Sequence, residues 1–265
     1  DGSTDKSSDI TEIYFKSDPR IRIVNQHNQG LSAARNTGIF AAHADYVMFC
    51  DSDDYYEVDT VKIMLKAIID NDVDIVSGSA RVVYEQNNFT AQQKHEDNQY
   101  FSTKLRGVHN ISDTVLRKTD VSAWDKIYKR SIIDNSQIRF PAGIYYEDTY
   151  FFYTYAWSSS KIYFLPQDVI VYNYIRRDGS IMSETFNKTS RAYDHTEIVI
   201  RLFKFMKERN IFQQHSKVFN DLFKEYFTLS IKYLPDSSMG FLYDRVKEFD
   251  RDFGEYMKSV DLELR

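Results

Sequence analysis

Asp45-Tyr46-Val47-Met48-Phe49-Cys50-Asp51-Ser52-Asp53-Asp54 is an apolar run that stops at three carboxylates within four residues. Tyr46 to Cys50 has the β-branched and aromatic content of a buried strand. Carboxylates are costly to desolvate, so Asp51, Asp53 and Asp54 mark the strand's carboxyl end, where open α/β sheets bind ligands. Three like charges this close repel, and a divalent cation relieves the repulsion. Mg²⁺ or Mn²⁺ takes oxygen ligands, often one or two carboxylates completed by water and phosphate. One reading is a metal site for a phosphorylated ligand. The other is a solvated acidic turn that caps the next helix.

Upstream of that strand, Ile10, Ile13 and Tyr14 repeat at helical spacing, and Ile21 to Val24 reads as a short strand. Gln29 to Gly38 reads as a loop entering a small-residue helix. Downstream, Val58, Val61, Met64, Leu65, Ile68 and Ile69 give an amphipathic helix, and Asp74 to Ser77 gives another strand. Alternating strand and helix across residues 1–78 is the βαβ signal for a parallel sheet. Residues 86–99 are polar and aperiodic, as in a surface loop. Two aromatic and charged clusters follow, Ser122 to Arg130 and Gly143 to Tyr150, the second running into an aromatic helix from Phe151 to Trp157. Lys161 to Leu165 and Val169 to Tyr174 read as strands. Beyond about Thr185 only helical periodicity remains, with Ile198, Leu202 and Met206 on one face and Phe219, Phe223 and Phe227 on another.

Composition narrows the class. With 265 residues, 28% charged and 42% hydrophobic, the chain is an ordinary globular protein of one large domain, or one domain with an appendage. The net charge of −5 argues against general nucleic-acid binding. No apolar stretch approaches ~20 residues, the length a spanning helix needs. One cysteine excludes an intrachain disulfide and fits a reducing compartment, and the six histidines lack zinc-ligand spacing.

Asp1-Gly2-Ser3-Thr4-Asp5, Gly30-Leu31-Ser32-Ala33-Ala34-Arg35-Asn36 and Asp51-Ser52-Asp53-Asp54, in this order, resemble the family 2 inverting glycosyltransferases of the GT-A fold. Trp124-Asp125-Lys126 is similar to that family's Trp-Asn-Lys element, and Tyr146-Glu147-Asp148 to its Glu-Asp element. Arg176 to Ile181 is similar to its Arg-x-x-Gly-Ser-Ile segment. The six elements cover roughly residues 1–185. The resemblance implies an α/β, Rossmann-like nucleotide-sugar-binding domain over residues 1–184, with a mainly parallel central sheet, and a helical C-terminal region over 185–265. Family members carry a strand, a helix and a second strand before the Asp-Gly-Ser turn, so the chain is expected to be a fragment lacking that β-α-β segment.

The resemblance also implies roles. Asp51 would sit near the ribose or a metal-bound water, and Asp53, with Asp51, on a Mn²⁺ or Mg²⁺ bridging the phosphates. Asp1 would accept from the N–H of a uracil, favouring a UDP-sugar donor. Arg35 would meet the nucleotide or its phosphates, or else form a salt bridge to the acidic cluster. Asp148 would be the general base with Glu147 its neighbour, unless the pair merely favours the helix dipole. Trp124 would form a wall of the sugar or acceptor pocket, or pack in the core. Arg176 or Arg177 would reach the diphosphate. The expected activity is an inverting hexosyl transfer to a glycan, lipid-linked or protein acceptor of the bacterial cell surface, performed in the cytoplasm. The helical tail would bind the acceptor, form a homo-oligomer, or rest peripherally on the inner face of a membrane. Two rivals stand beside this reading: a nucleotidyltransferase, which would show a Gly-rich basic phosphate loop, and a degenerate transferase domain kept as a binding or assembly module.

Overall fold

The structure is a computed structural model that describes residues 1–84, 104–176 and 189–259. The polar segment 86–99, Arg177 and the 184/185 boundary expected above lie outside the described residues. Two amino-terminal helices, α1 (Ser7–Phe15) and α2 (Leu31–Ala41), precede β1 (Tyr46–Met48) and the short β2 (Tyr55–Tyr56). Next come α3 (Thr60–Asp70), β3 (Ile75–Ser77), β4 (Ser79–Tyr84), β5 (Gly107–Asn110) and α4 (Asp113–Leu116). Then follow β6 (Lys126–Lys129), α5 (Arg130–Asn135), α6 (Glu147–Trp157), β7 (Lys161–Phe164) and β8 (Ile170–Arg176). A 3₁₀ turn, Ser190–Ala192, opens the helical region of α7 (Tyr193–Glu208), α8 (Phe212–Tyr233) and α9 (Met239–Ser259).

The main sheet has the order β1-β6-β3-β7-β5, and a smaller one the order β2-β8-β4. Among the described residues, only β3/β7 and β4/β8 pair in parallel, and the other four pairings are antiparallel. The mainly parallel sheet expected from residues 1–78 is therefore a mixed one. β1 and β3 do run in the same direction, as a βαβ unit requires, but β6 lies between them and opposes both. That strand comes from residues 126–129, outside the window that carried the parallel signal. Ile21 to Val24 forms no strand, and both of those end residues are exposed.

Alternation along the central strands builds three layers. Ile75 of β3 and Tyr128 of β6 face a core shared with Phe151, Phe152 and Tyr155 of α6. Their neighbours Val76 and Ile127 face the opposite core with Met64, Ala67 and Ile68 of α3. α6 is buried along nearly its whole length, which explains its aromatic content. The Tyr155 hydroxyl accepts from Lys129 N–H at 2.8 Å and donates to the Asp74 carbonyl at 2.9 Å, tying α6 to β6 and to the start of β3. The helical region continues this core: Ile198 and Leu202 of α7 and Val218 and Leu222 of α8 belong to the same cluster as α6. A second aromatic cluster, around Phe203, Phe212, Phe219 and Phe249, joins α7, α8 and α9. Among the described residues no helix is long and apolar enough to cross a membrane.

Candidate active site

Three elements deliver charge to one point. β1 ends before Asp51, α6 begins at Glu147-Asp148, and α2 carries Arg35. The buried Arg35 guanidinium donates from Nη2 to Asp51 Oδ1 at 2.7 Å and from Nη1 to Glu147 Oε1 at 2.9 Å. Nη1 also donates to Asp148 Oδ1, whose other oxygen accepts from Ala123 N–H at 3.2 Å. The Phe140 ring lies 5.1 Å from the guanidinium carbon. These contacts form the salt bridge to the acidic cluster named above as one role of Arg35.

Burial dominates the electrostatics of this cluster. It pushes both Glu147 and Asp148 above the ordinary carboxylate range, with their mutual proximity adding to Glu147 and Arg35 opposing the rise in each. For Arg35, burial alone would weaken the cation, but Asp148, Asp51 and Glu147 together outweigh it and hold the guanidinium above its usual value. One cation against three acids leaves a site that is acidic yet shielded.

The carboxylate turn after β1 is fastened to β8. Asp51 N–H donates to the Tyr172 hydroxyl at 3.0 Å, and that hydroxyl donates to Asp54 Oδ2 at 2.8 Å. Asp54 Oδ1 accepts from Ile175 N–H at 2.8 Å. Burial raises Asp54 to about 6. Its oxygens are thus engaged with β8, and the residue at the start of α3 is Asp59. Asp53 is exposed beside it. Among the described residues no group of three or more His, Cys, Asp or Glu side chains is arranged to hold a metal ion. The hard-oxygen pair Asp51 and Asp53 suits Mg²⁺ or Mn²⁺ completed by water and phosphate, not a cation that needs an all-protein cage.

The remaining expected residues are placed as follows. Asp1 accepts from Gln26 Nε2 at 2.7 Å and from the N–H groups of Gln29 and Gly30, both at 3.0 Å. It thereby ties the amino terminus to the start of α2, where Gly30 adopts φ +85, a conformation that favours glycine. A groove of about 370 Å³ opens beside Asp1, lined by Arg20, Arg22, Gln26, Ala34 and Thr37 among others. Trp124 is buried and stacks on Tyr172 with ring centroids 4.3 Å apart, within the core on the α3 side. Asp125, which stands where the resembled family has Asn, pairs with the fully buried Lys126 at 2.5 Å. Arg176 ends β8. The sequence reading missed Tyr172, which links Asp51 to Asp54, and the helical-region residues that touch the turn before Glu147. Tyr172 carried no signal beyond a strand position.

Comparison with known proteins places the chain among glycosyltransferases. The family model described as Glycosyl transferase family 2 matches residues 1–135. Glycosyltransferase GlyA of Streptococcus pneumoniae is 34% identical over 194 residues, which cover 68% of this chain and 26% of that protein. The cholesterol galactosyltransferase of Borreliella burgdorferi is 27% identical over 241 residues, covering 88% of this chain and 65% of the relative. This chain therefore spans about a quarter of the first relative's length and under two thirds of the second's. Among solved structures, residues 1–349 of S. aureus TarS, in complex with UDP-GlcNAc, superpose with a TM-score of 0.55 at 20% identity, covering 99% of this chain and 82% of that one.

Proposed function

The chain belongs to glycosyl transferase family 2, and on that premise we propose that it moves a hexose from a UDP-sugar to a hydroxyl of a glycan, lipid-linked or protein acceptor, with inversion at the anomeric carbon. The single observation that carries this reading is the meeting of Asp51, Glu147 and Asp148 on the buried Arg35. A solvated acidic turn would not draw carboxylates from two distant elements onto one internal cation.

In this mechanism Asp148 accepts the proton of the acceptor hydroxyl as its oxygen attacks the anomeric carbon. The bond from that carbon to the diphosphate breaks in line, and UDP departs with the electron pair. A single displacement inverts the centre. Burial makes Asp148 a stronger base than an exposed carboxylate, while Arg35 holds it oriented and ionised. The groove beside Asp1 has room for a nucleoside, and the TarS complex with UDP-GlcNAc supports a UDP-sugar donor by likeness of fold. Asp53 and Asp51 would hold Mn²⁺ or Mg²⁺, which supplies charge neutralisation to the leaving diphosphate. Arg176, at the end of β8, is the described arginine that would add positive charge there.

The test is UDP release from a panel of UDP-sugars, with Mn²⁺ or with chelator, using the full-length protein. Metal-dependent release from one sugar establishes the class and names the donor. No release and no nucleotide binding would overturn the reading in favour of a non-catalytic module.

A further inference from the structure

We propose that the first turn of α7, through Asp194 and His195, positions the turn that carries Glu147 and Asp148, so that the helical region is part of the catalytic apparatus without touching the reacting atoms. The inference rests on the reading of Asp148 as general base.

The turn itself is strained. Tyr146, the residue immediately before Glu147, has φ +64 and ψ 27, a left-handed conformation that a tyrosine rarely adopts. Such a residue persists only where its surroundings over-determine it. Those surroundings come from the helical region. Asp194 Oδ2 accepts from Tyr145 N–H at 2.9 Å. The Arg191 guanidinium lies over the Tyr145 ring at 4.5 Å. The His195 imidazole stacks on Tyr146 with centroids 3.7 Å apart and planes 14° apart. Tyr226 of α8 lies edge-on to His195 at 5.3 Å, with its hydroxyl 2.7 Å from that of Thr149 in the first turn of α6.

His195 is 5% exposed, and among the described residues neither of its ring nitrogens has a hydrogen-bond partner. An apolar ring would sit there at lower cost. What the imidazole supplies is therefore its flat face against Tyr146. Because α6 begins directly after that tyrosine, any rotation of the turn moves Glu147 and Asp148 relative to Arg35. A misplacement of about 1 Å is enough to cost ~100-fold in turnover.

Two variants separate this from a general structural role. His195→Ala removes the stacking face and is expected to lower kcat about 100-fold, with donor KM within about threefold of the parent. His195→Phe keeps a flat ring and is expected to restore kcat to within about threefold. Hydrogen exchange at the Tyr145 amide supplies a readout independent of catalysis: protection should fall in His195→Ala and return in His195→Phe. Should His195→Ala fail to fold, Asp194→Ala, which removes the acceptor of Tyr145 N–H, carries the same kinetic and exchange expectations. Parental kcat in a folded His195→Ala, or a His195→Phe as impaired as His195→Ala, overturns the proposal. Failure of the reading of Asp148 as general base looks different: Asp148→Asn would then turn over like the parent, while the exchange result stands.

Discussion

Arg35 Nη1 lies 2.9 Å from Glu147 Oε1, joining helices α2 and α6 across 112 residues of sequence by a buried ion pair. The same guanidinium neutralises Asp51 and Asp148, so its loss would leave three carboxylates close together without a cation. Removing one partner from a buried charged cluster costs about 3–5 kcal/mol. Arg35→Met should lose stability on that scale in urea unfolding near neutral pH. The deficit should shrink as pH falls, because burial already raises Glu147 and Asp148 and protonation relieves their repulsion. A deficit independent of pH would mean that packing against Phe140, and not charge, accounts for the loss.

Asp148→Asn keeps the shape of the side chain and its contact with Ala123 N–H but cannot take a proton. Loss of a general base should lower kcat by about 10²–10⁴-fold. UDP affinity by calorimetry should stay near the parent's. Glu147→Gln should cost less, since Glu147 is placed beside the base and not as the base. Equal losses in the two variants would assign proton transfer to the pair.

Much of this site was legible because its chemistry sits in short, contiguous motifs. Asp51 and Asp53 stand where an apolar run stops at carboxylates, and Glu147 and Asp148 were marked by the resemblance to the family's Glu-Asp element. What was not legible came from pairing over distance. β6 read as a charged cluster because Lys126 is written as a surface residue, yet it is fully buried, donating to Asp125 and to the Ser122 carbonyl at 2.8 Å. Only a partner in space makes such a lysine a strand residue. The antiparallel insertion of β6 between β1 and β3 was hidden for the same reason. His195 gave no signal, since Tyr193-Asp194-His195-Thr196 looks like any helix start, and its contact with Tyr146 exists only once α7 has docked on α6. Trp124, read either as a pocket wall or as core, is set against Tyr172 by β8, a strand 46 residues further along the chain.

Asp53 offers the cleanest separation of ligand binding from folding. It is exposed at the end of the carboxylate turn, whereas Asp54 is held by Tyr172 and Ile175. Asp53→Ala should abolish the Mn²⁺-dependent part of UDP binding measured by calorimetry. Unfolding free energy should change by no more than about 0.5 kcal/mol, as for other exposed substitutions. Asp54→Ala should do the reverse and destabilise the fold, because it strips a partly buried acceptor from two donors. If Asp53→Ala left metal-dependent UDP binding intact, the assignment of the cation to the Asp51–Asp53 pair would fail.

His195 also predicts a pH dependence of stability. Burial lowers its pKa to about 4 from an ordinary 6.5. Above 6.5 the ring is neutral in both folded and unfolded chains and contributes no pH slope. Between 6.5 and 4 the unfolded chain binds the proton and the folded one does not, so folding stability falls as the solution is acidified. The full difference amounts to about 3 kcal/mol, reached near pH 4. Other buried groups tilt the curve the opposite way: Asp54, raised to about 6, favours the fold at low pH relative to neutral. The comparison must therefore be made within one pair of proteins. His195→Phe, which cannot titrate, should be increasingly more stable than the parent as pH drops from 6.5 to 4, and the gap should be constant above 6.5. Urea unfolding of both proteins at half-unit pH steps reads this directly. A gap that does not widen on acidification would show that the imidazole gains a proton partner in solution and is not held neutral against Tyr146.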